Sequence, residues 1–254
     1  AGLIITSFTA TPPIIEGGDS ATFTLNVQNK GGIDAKSIKY DIFGLSDSNS
    51  WSGSSSTLSG SSTLTFEDAS RNIPGETTTQ EWDSTSKEKN TDIPYPVTAR
   101  ADYQYKTETS LLLILYGRDN PNIKNTGTTQ STIGQISTTT GPFTIVPKGT
   151  IPLVGKSTDD FRITFEITNT GGGRPYSGAK DSGLDKVKVT ATGCSLTSST
   201  SEIKLISKAK TISCKVDPGI DNLGQETKEV KLVLEYNYIV ESTANVKVLK
   251  QPEQ

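Results

Sequence analysis

Apolar residues in this chain recur at every second position in short runs. Phe23, Leu25 and Val27 alternate with Thr24, Asn26 and Gln28, and Ile163, Phe165 and Ile167 alternate with Thr164, Glu166 and Thr168. A period of two places each apolar set on one face of a half-buried strand. Both runs end in the same turn, Asn29–Gly32 and Asn169–Gly172, where the glycine pair is expected to supply positive φ. Both are also preceded by a Phe-to-Pro segment, Phe8–Pro13 and Phe143–Pro147. The chain is therefore read as two copies of one unit.

The ends of the copies match as well. Val97-Thr-Ala99-Arg-Ala101-Asp-Tyr103-Gln-Tyr105 parallels Val230-Lys-Leu232-Val-Leu234-Glu-Tyr236-Asn-Tyr238. Each is expected to be followed by a short turn and a further strand, at Ser110–Tyr116 and Asn245–Leu249. The paired tyrosines are assigned to core and rim packing, with the hydroxyls at the wet edge. Between the matched ends, strands are predicted over Ser37–Phe43, Ser62–Phe66 and Gln80–Asp83 in the first copy. In the second they are Lys186–Gly193, Glu202–Ser207 and Lys210–Val216. About seven short strands per copy, separated by Gly, Pro, Ser and Asp, predict a β-sandwich in each. The expected domains are residues 1–140, with a polar C-terminal stretch at about 117–140 read as a linker or a long edge excursion, and residues 141–254.

Composition narrows the chemistry. The 254 residues include 29 Ser and 36 Thr but no His, which removes Ser-His-Asp and Cys-His catalysis and the HExxH metalloproteases. No Walker loop is present, and Gly171–Gly173 precedes no predicted helix. Candidate carboxylates such as Glu81, Asp83 and Glu88 have nothing that brings two into one cleft. The acidic clusters Asp159-Asp160 and Asp217 with Asp221-Asn222 lack EF-hand spacing and are read as turn formers rather than calcium ligands. The expectation is a protein that is not an enzyme and that carries no metal and no cofactor.

Charge and cysteine speak to compartment and contacts. Residues 1–140 hold 10 Lys/Arg against 15 Asp/Glu, whereas residues 141–254 hold 15 against 13. The split reads first as ordinary surface drift, and alternatively as opposite signs that favour head-to-tail contact between copies. No basic stripe points to nucleic acid. Cys194 and Cys214 both flank predicted strands, and a disulfide between them is the preferred reading over two buried thiols. The longest apolar run, Leu111–Tyr116, is too short to span a membrane. None of the 12 Asn heads an Asn-x-Ser/Thr sequon, so dense N-glycosylation is not expected, while Ser/Thr-linked glycans have no strict motif. A start at Ala1-Gly2-Leu3 fits a mature chain cut after a small residue.

The set Pro12-Pro13, Gly18–Ser20, Val27–Gly32 and Tyr40–Gly44 resembles archaeal surface-layer-like, cell-adhesion-related (CARDB-type) domains. The stretch from Gly141-Pro142 through Asn169–Arg174 and Tyr176 to Cys194 and Cys214 resembles the tandem domain beside them. The resemblance implies two tandem immunoglobulin-like sandwiches and an extracellular, cell-surface location, and it carries over no catalytic residue. The function expected is a structural subunit of an archaeal filament, pilus or surface layer, self-associating head to tail through strand edges. Leu3, Ile4, Ile5 and Phe8 are read first as the opening strand of the first domain, and alternatively as a candidate donor strand for a neighbour's sheet. The second reading is an adhesin or carbohydrate-binding module, with Trp51 and Trp82 as the candidate recognition residues for surface glycans; the preferred reading of Trp51 itself is a lid folded back over the core.

Overall fold

The computed structural model describes residues 1–45, 50–53, 57–58, 63–117, 119–121, 133–148, 154–155, 161–197, 201–217, 219 and 223–251. The first copy of the repeat contributes β1 (Leu3–Thr11), β2 (Ile14–Glu16), β3 (Ser20–Asn29), β4 (Ala35–Phe43), β5 (Trp51–Gly53), β6 (Thr57–Leu58), β7 (Thr63–Leu64), β8 (Thr77–Ser86) and β9 (Ile93–Gly117). After β10 (Ile133–Thr138), the second contributes β11 (Phe143–Lys148), β12 (Val154–Gly155), β13 (Phe161–Asn169), β14 (Arg174–Tyr176), β15 (Lys186–Thr192), β16 (Ser195–Leu196), β17 (Glu202–Lys204), β18 (Ala209–Val216) and β19 (Gln225–Leu249). A single helical turn, α1 (Lys180–Gly183), precedes β15. No described helix is long and apolar enough to cross a membrane.

The strands form two immunoglobulin-like β-sandwiches, and these do not follow the chain in order. Unit 1 gathers Ala1–Tyr105, Gly172–Arg174 and Asn237–Gln254, and unit 2 gathers Lys106–Gly171 and Pro175–Tyr236. The expected boundary near residue 140 therefore gives way to crossings at Tyr105/Lys106 and Tyr236/Asn237.

In unit 1 one sheet has the order β1-β3-β8-β5. The other sets β4, with β6 and β7 on its far side, beside the first half of β9 and then the second half of β19. The end of β19 pairs in parallel with β2, Lys247 with Ile14 and Leu249 with Glu16. Phe23, Leu25 and Val27 are buried on one inner face, and Tyr40, Ile42, Val97, Ala99, Val246 and Val248 on the other.

Unit 2 repeats this plan. One sheet is β11-β13-β18-β16. The other joins β17, β15, the first half of β19 and the second half of β9, with β10 beside β9. The end of β9 pairs in parallel with β12, Tyr116 with Val154 and Gly117 with Gly155. Ile163, Phe165 and Ile167 face Val230, Leu232, Leu234 and the Leu111, Leu113, Leu115 ladder across a buried core.

Two expectations are corrected here. The predicted turns before Ser110 and Asn245 do not form, and β9 and β19 each run on for 25 residues. The reason is phase. Odd positions from Val97 to Leu115 stay buried without a break, through Tyr105, Thr107 and Thr109. Thr107–Ser110 and Glu241–Ala244 contain no Gly, Pro or Asn to reverse the chain. Side-chain partners step backwards along β19 as β9 advances, Thr98 with Thr243, Arg100 with Glu241 and Thr107 with Tyr236, so the two long strands are antiparallel. The second correction concerns the linker. Ile133–Thr138 of the expected linker is strand β10, paired to Thr109–Leu113 of β9.

Candidate functional site

The segment holding Leu3, Ile4, Ile5 and Phe8 is the first strand of its own unit, as its preferred reading expects. Residues Leu3 to Thr11 pair antiparallel with β3 from Asn29 to Thr22, with a register shift between Ile5 and Ser7. Leu3 and Phe8 point into the core, and Ile4 and Ile5 are half-buried. The Leu3 amide donates to the Tyr103 hydroxyl at 3.1 Å. A strand held this way is the edge of a finished sheet, and its use in a neighbour would require those contacts to break.

The two tryptophans are core residues, as the lid reading expects of Trp51, and the recognition-loop alternative for Trp51 and Trp82 is corrected. Trp51 is 3% exposed and Trp82 2%. Trp82 sits opposite Phe23 in the β3–β8 ladder. Trp51, on the short edge strand β5, meets Phe23 and Tyr95 edge-on, with ring centroids 6.2 and 5.4 Å away. The Ser/Gly-rich flank leaves both readings of Trp51 open, and the pairing of β5 with Ser84–Ser86 turns the indole inward. Both indole N–H groups lack a hydrogen-bond partner among the described residues, as does the Tyr40 hydroxyl. Burial, with Glu76 adding to it, pushes the Tyr40 hydroxyl up to about 12.

The Tyr-x-Tyr pairs are buried along their whole length rather than wet at the tip, and their hydroxyls tie the turns. Tyr105 accepts from the Ile33 amide at 3.3 Å, and Tyr238 accepts from the Gly173 amide at 3.2 Å, an equivalent bond in each copy. Burial pushes Tyr105 up to about 12. The positive φ expected of the pairs Gly31-Gly32 and Gly171-Gly172 is adopted by none of the four, and the contacts of Gly31 and of the neighbouring Gly173 give another reason for glycine. A Cβ on Gly31 would lie 1.7 Å from the Tyr105 hydroxyl, and one on Gly173 would lie 1.9 Å from the Ile239 carbonyl. The glycines make room for a tyrosine and a strand, a requirement that only the tertiary contact reveals.

Where β9 and β19 lie side by side in unit 2, polar groups pin the extended chain. The Thr107 hydroxyl bonds to the Tyr236 hydroxyl at 2.7 Å in a buried site. Glu108 meets Lys106 at 2.8 Å and Lys231 at 3.0 Å. The hydrogen bonds from these lysines hold its carboxyl below its ordinary value of 4.5. A depressed carboxylate stabilises the fold above that value, and the contribution disappears as pH falls below it. We expect the urea midpoint to drop between pH 5 and pH 3. Glu108→Gln should lose about 0.5–1 kcal/mol of that change, a figure discounted for solvent screening.

The cysteines form the expected disulfide. Cys194 and Cys214 are bonded with Cα atoms 5.7 Å apart, 20 residues apart in sequence. The bridge fastens the short strand β16 to β18, whose Cys214 is fully buried. Closing a loop of that length stabilises by roughly 3 kcal/mol in the chain-entropy model. Cys194→Ala/Cys214→Ala should lower the unfolding free energy by about that amount in guanidinium titration.

For other chemistry the described residues offer little. None of them form a group of three or more His, Cys, Asp or Glu side chains placed to hold a metal. Asp217 accepts from the Gly219 amide at 3.1 Å, a turn bond, while Asp159, Asp160, Asp221 and Asn222 lie outside the described residues. A cleft of about 270 Å³ in unit 2 is lined by Val189, Leu196, Ile203 and Ile212, with only Thr and Ser hydroxyls and Lys210 at its margin.

No family model matches the chain, and no curated protein matches it. The likeness to surface-layer-like domains thus rests on the residues quoted for it. Among solved structures, the chain is similar to the D0-D1 domain of intimin, at 14% identity over 97% of this chain and 99% of that one, with a TM-score of 0.21. It is similar to the collagen adhesin CNA of S. aureus at 11% identity over 97% and 92%, TM-score 0.16. It is similar also to the Yersinia pseudotuberculosis adhesin InvE at 10% identity over 97% and 58%, TM-score 0.19. At these scores the alignments carry no argument about function. The class is defined by the molecule's own strand order, a pair of immunoglobulin-like sandwiches with a disulfide in the second.

Proposed function

We propose that this protein is a non-enzymatic, extracellular structural component of a cell surface, in which copies associate head to tail through β-strands into a filament, pilus or layer. The observation that carries the reading is the way each sandwich is completed by a strand from the opposite repeat. A chain built on strand donation already holds the means of linking units. The disulfide supports an oxidising, extracellular setting. The charge split persists when counted by unit, 10 bases against 15 acids in unit 1 and 15 against 13 in unit 2, which favours contacts between unlike units. Electron microscopy of the native protein at the cell surface tests this. Regular filaments or lattices are expected, and dispersed particles would sink the polymer reading.

A second reading, an adhesin or glycan-binding module, has a specific observation in its favour. The tight turn between β17 and β18 carries Ile206, 70% exposed, between Lys204 and the exposed Lys208 and Lys210. Ser207 and Lys208 both adopt positive φ there, so the turn holds its tip in a defined shape. This surface, rather than the buried indoles, is where an acidic glycan would be recognised. Replacing the three lysines with glutamate should abolish retention on an acidic-glycan array while leaving the fold intact. Undiminished retention would reject this surface.

A further inference from the structure

The two repeats are interlocked through contacts that do not depend on their belonging to one chain. In unit 1, β2 and the first half of β9 come from repeat 1, and the second half of β19 comes from repeat 2. In unit 2, the second half of β9 comes from repeat 1, while β12 and the first half of β19 come from repeat 2. Neither repeat supplies its own last strand. The only covalent tie between Gly117, where β9 ends, and Phe143, where β11 begins, is the connection 118–142.

We infer that the strand partner of each repeat can be supplied by a second copy of this chain, so that repeat 1 of one molecule interlocks with repeat 2 of the next. The inference rests on the self-associating part of the proposed function and names the segments that perform it. These are Lys106–Gly117 and Asn237–Leu249, not the N-terminal strand.

Three observations lead there. First, folding back to complete the repeat's own sandwich would need a turn at Thr107–Ser110 or Glu241–Ala244. Neither segment contains Gly, Pro, Asn or Asp, and the buried Thr107–Tyr236 bond and the Glu108–Lys231 pair hold the first of them extended. Second, the closed and exchanged forms contain the same ladders and the same buried side chains. They differ only in effective concentration, which the short connection raises within one chain and which protein concentration raises between chains. Third, the surface that donates and the surface that accepts are different. Exchange between chains is then heterologous and can extend without closing, as a filament requires.

The register gives a direct test. Ile14 in repeat 1 and Lys247 in repeat 2 are partners in the β2–β19 ladder, and Ile14 is 54% exposed. In the full-length Ile14→Cys/Lys247→Cys variant, a short bis-maleimide joins the two repeats that share unit 1. Monomer and multimer fractions, separated by size after concentration or refolding at high concentration, are cross-linked and run on a denaturing gel. The monomer is expected to give one internally bridged chain and the multimers a covalent ladder. Monomer bridged beforehand should lose at least ten-fold in multimer yield. Multimers that run as single chains would overturn the inference while leaving self-association through another surface standing. Absence of multimers under every condition would overturn both.

Discussion

A chain cut within residues 122–130 is expected to remain one particle under native conditions and to unfold in a single transition. The cut lies in the polar connection between β9 and β10, so a protease site inserted there divides the two repeats. If the repeats were independent sandwiches, the fragments would separate and melt apart. In the exchanged arrangement each fragment takes the last strand away from the other's unit. Unit 1 would lose the buried Tyr238, Val246 and Val248, and unit 2 the buried Leu111, Leu113 and Leu115. At about 1.5–3 kcal/mol per buried side chain, each loss comes to roughly 5–9 kcal/mol. That is comparable with the whole stability of a typical domain, about 5–15 kcal/mol. The fragments therefore hold together until both units fail. Size exclusion and calorimetry of the cut protein decide it, and two peaks or two transitions would refute the exchange.

Trp82→Ala is expected to destabilise unit 1 by about 3–5 kcal/mol, the range for truncating a large aromatic in a core. The indole lies opposite Phe23 in the middle of the β3–β8 ladder, where the sheet leaves the cavity no route to collapse. Trp51→Ala should act in the same direction, since it strips the edge-on contacts with Phe23 and Tyr95. Trp82→Phe should cost less than Trp82→Ala, because it refills most of the space and the lost indole N–H had no partner among the described residues. Guanidinium titration followed by near-ultraviolet circular dichroism measures all three. A Trp82→Ala midpoint equal to that of the parent would mean that the indole is not core and would return it to the candidates for recognition.

The repeat was legible in the alternation around Phe23–Val27 and Ile163–Ile167, and the side chains so identified are buried. Most of the predicted strands appear within a few residues of their expected positions, because local period and turn residues set them. The disulfide followed from two cysteines on neighbouring strand flanks. The exchange had a signal that a local reading passed over. Odd positions keep one phase from Val97 to Leu115, and no Gly, Pro or Asn interrupts them. The small polar stretch Thr107–Ser110 resembled a hairpin only because its threonines are polar, yet threonine is a β-former. The tryptophans stayed open to a recognition role for the opposite reason. Their neighbours are Ser, Gly and charged residues, and only the pairing of β5 with β8 shows which way Trp51 points.

By itself, then, the amino-acid sequence determined where most of the short strands lie, which face of each is apolar, and that the pattern occurs twice. These properties depend on residues a few positions apart, within reach of backbone sterics and period-two burial. The tertiary structure alone decided which repeat each long strand completes. It also decided that Gly31 and Gly173 are small to admit a tyrosine and a strand, and that the indoles face inward. A period-two pattern specifies the buried face but not the partner strand. The choice of partner is made between segments more than a hundred residues apart, such as Ile14 and Lys247.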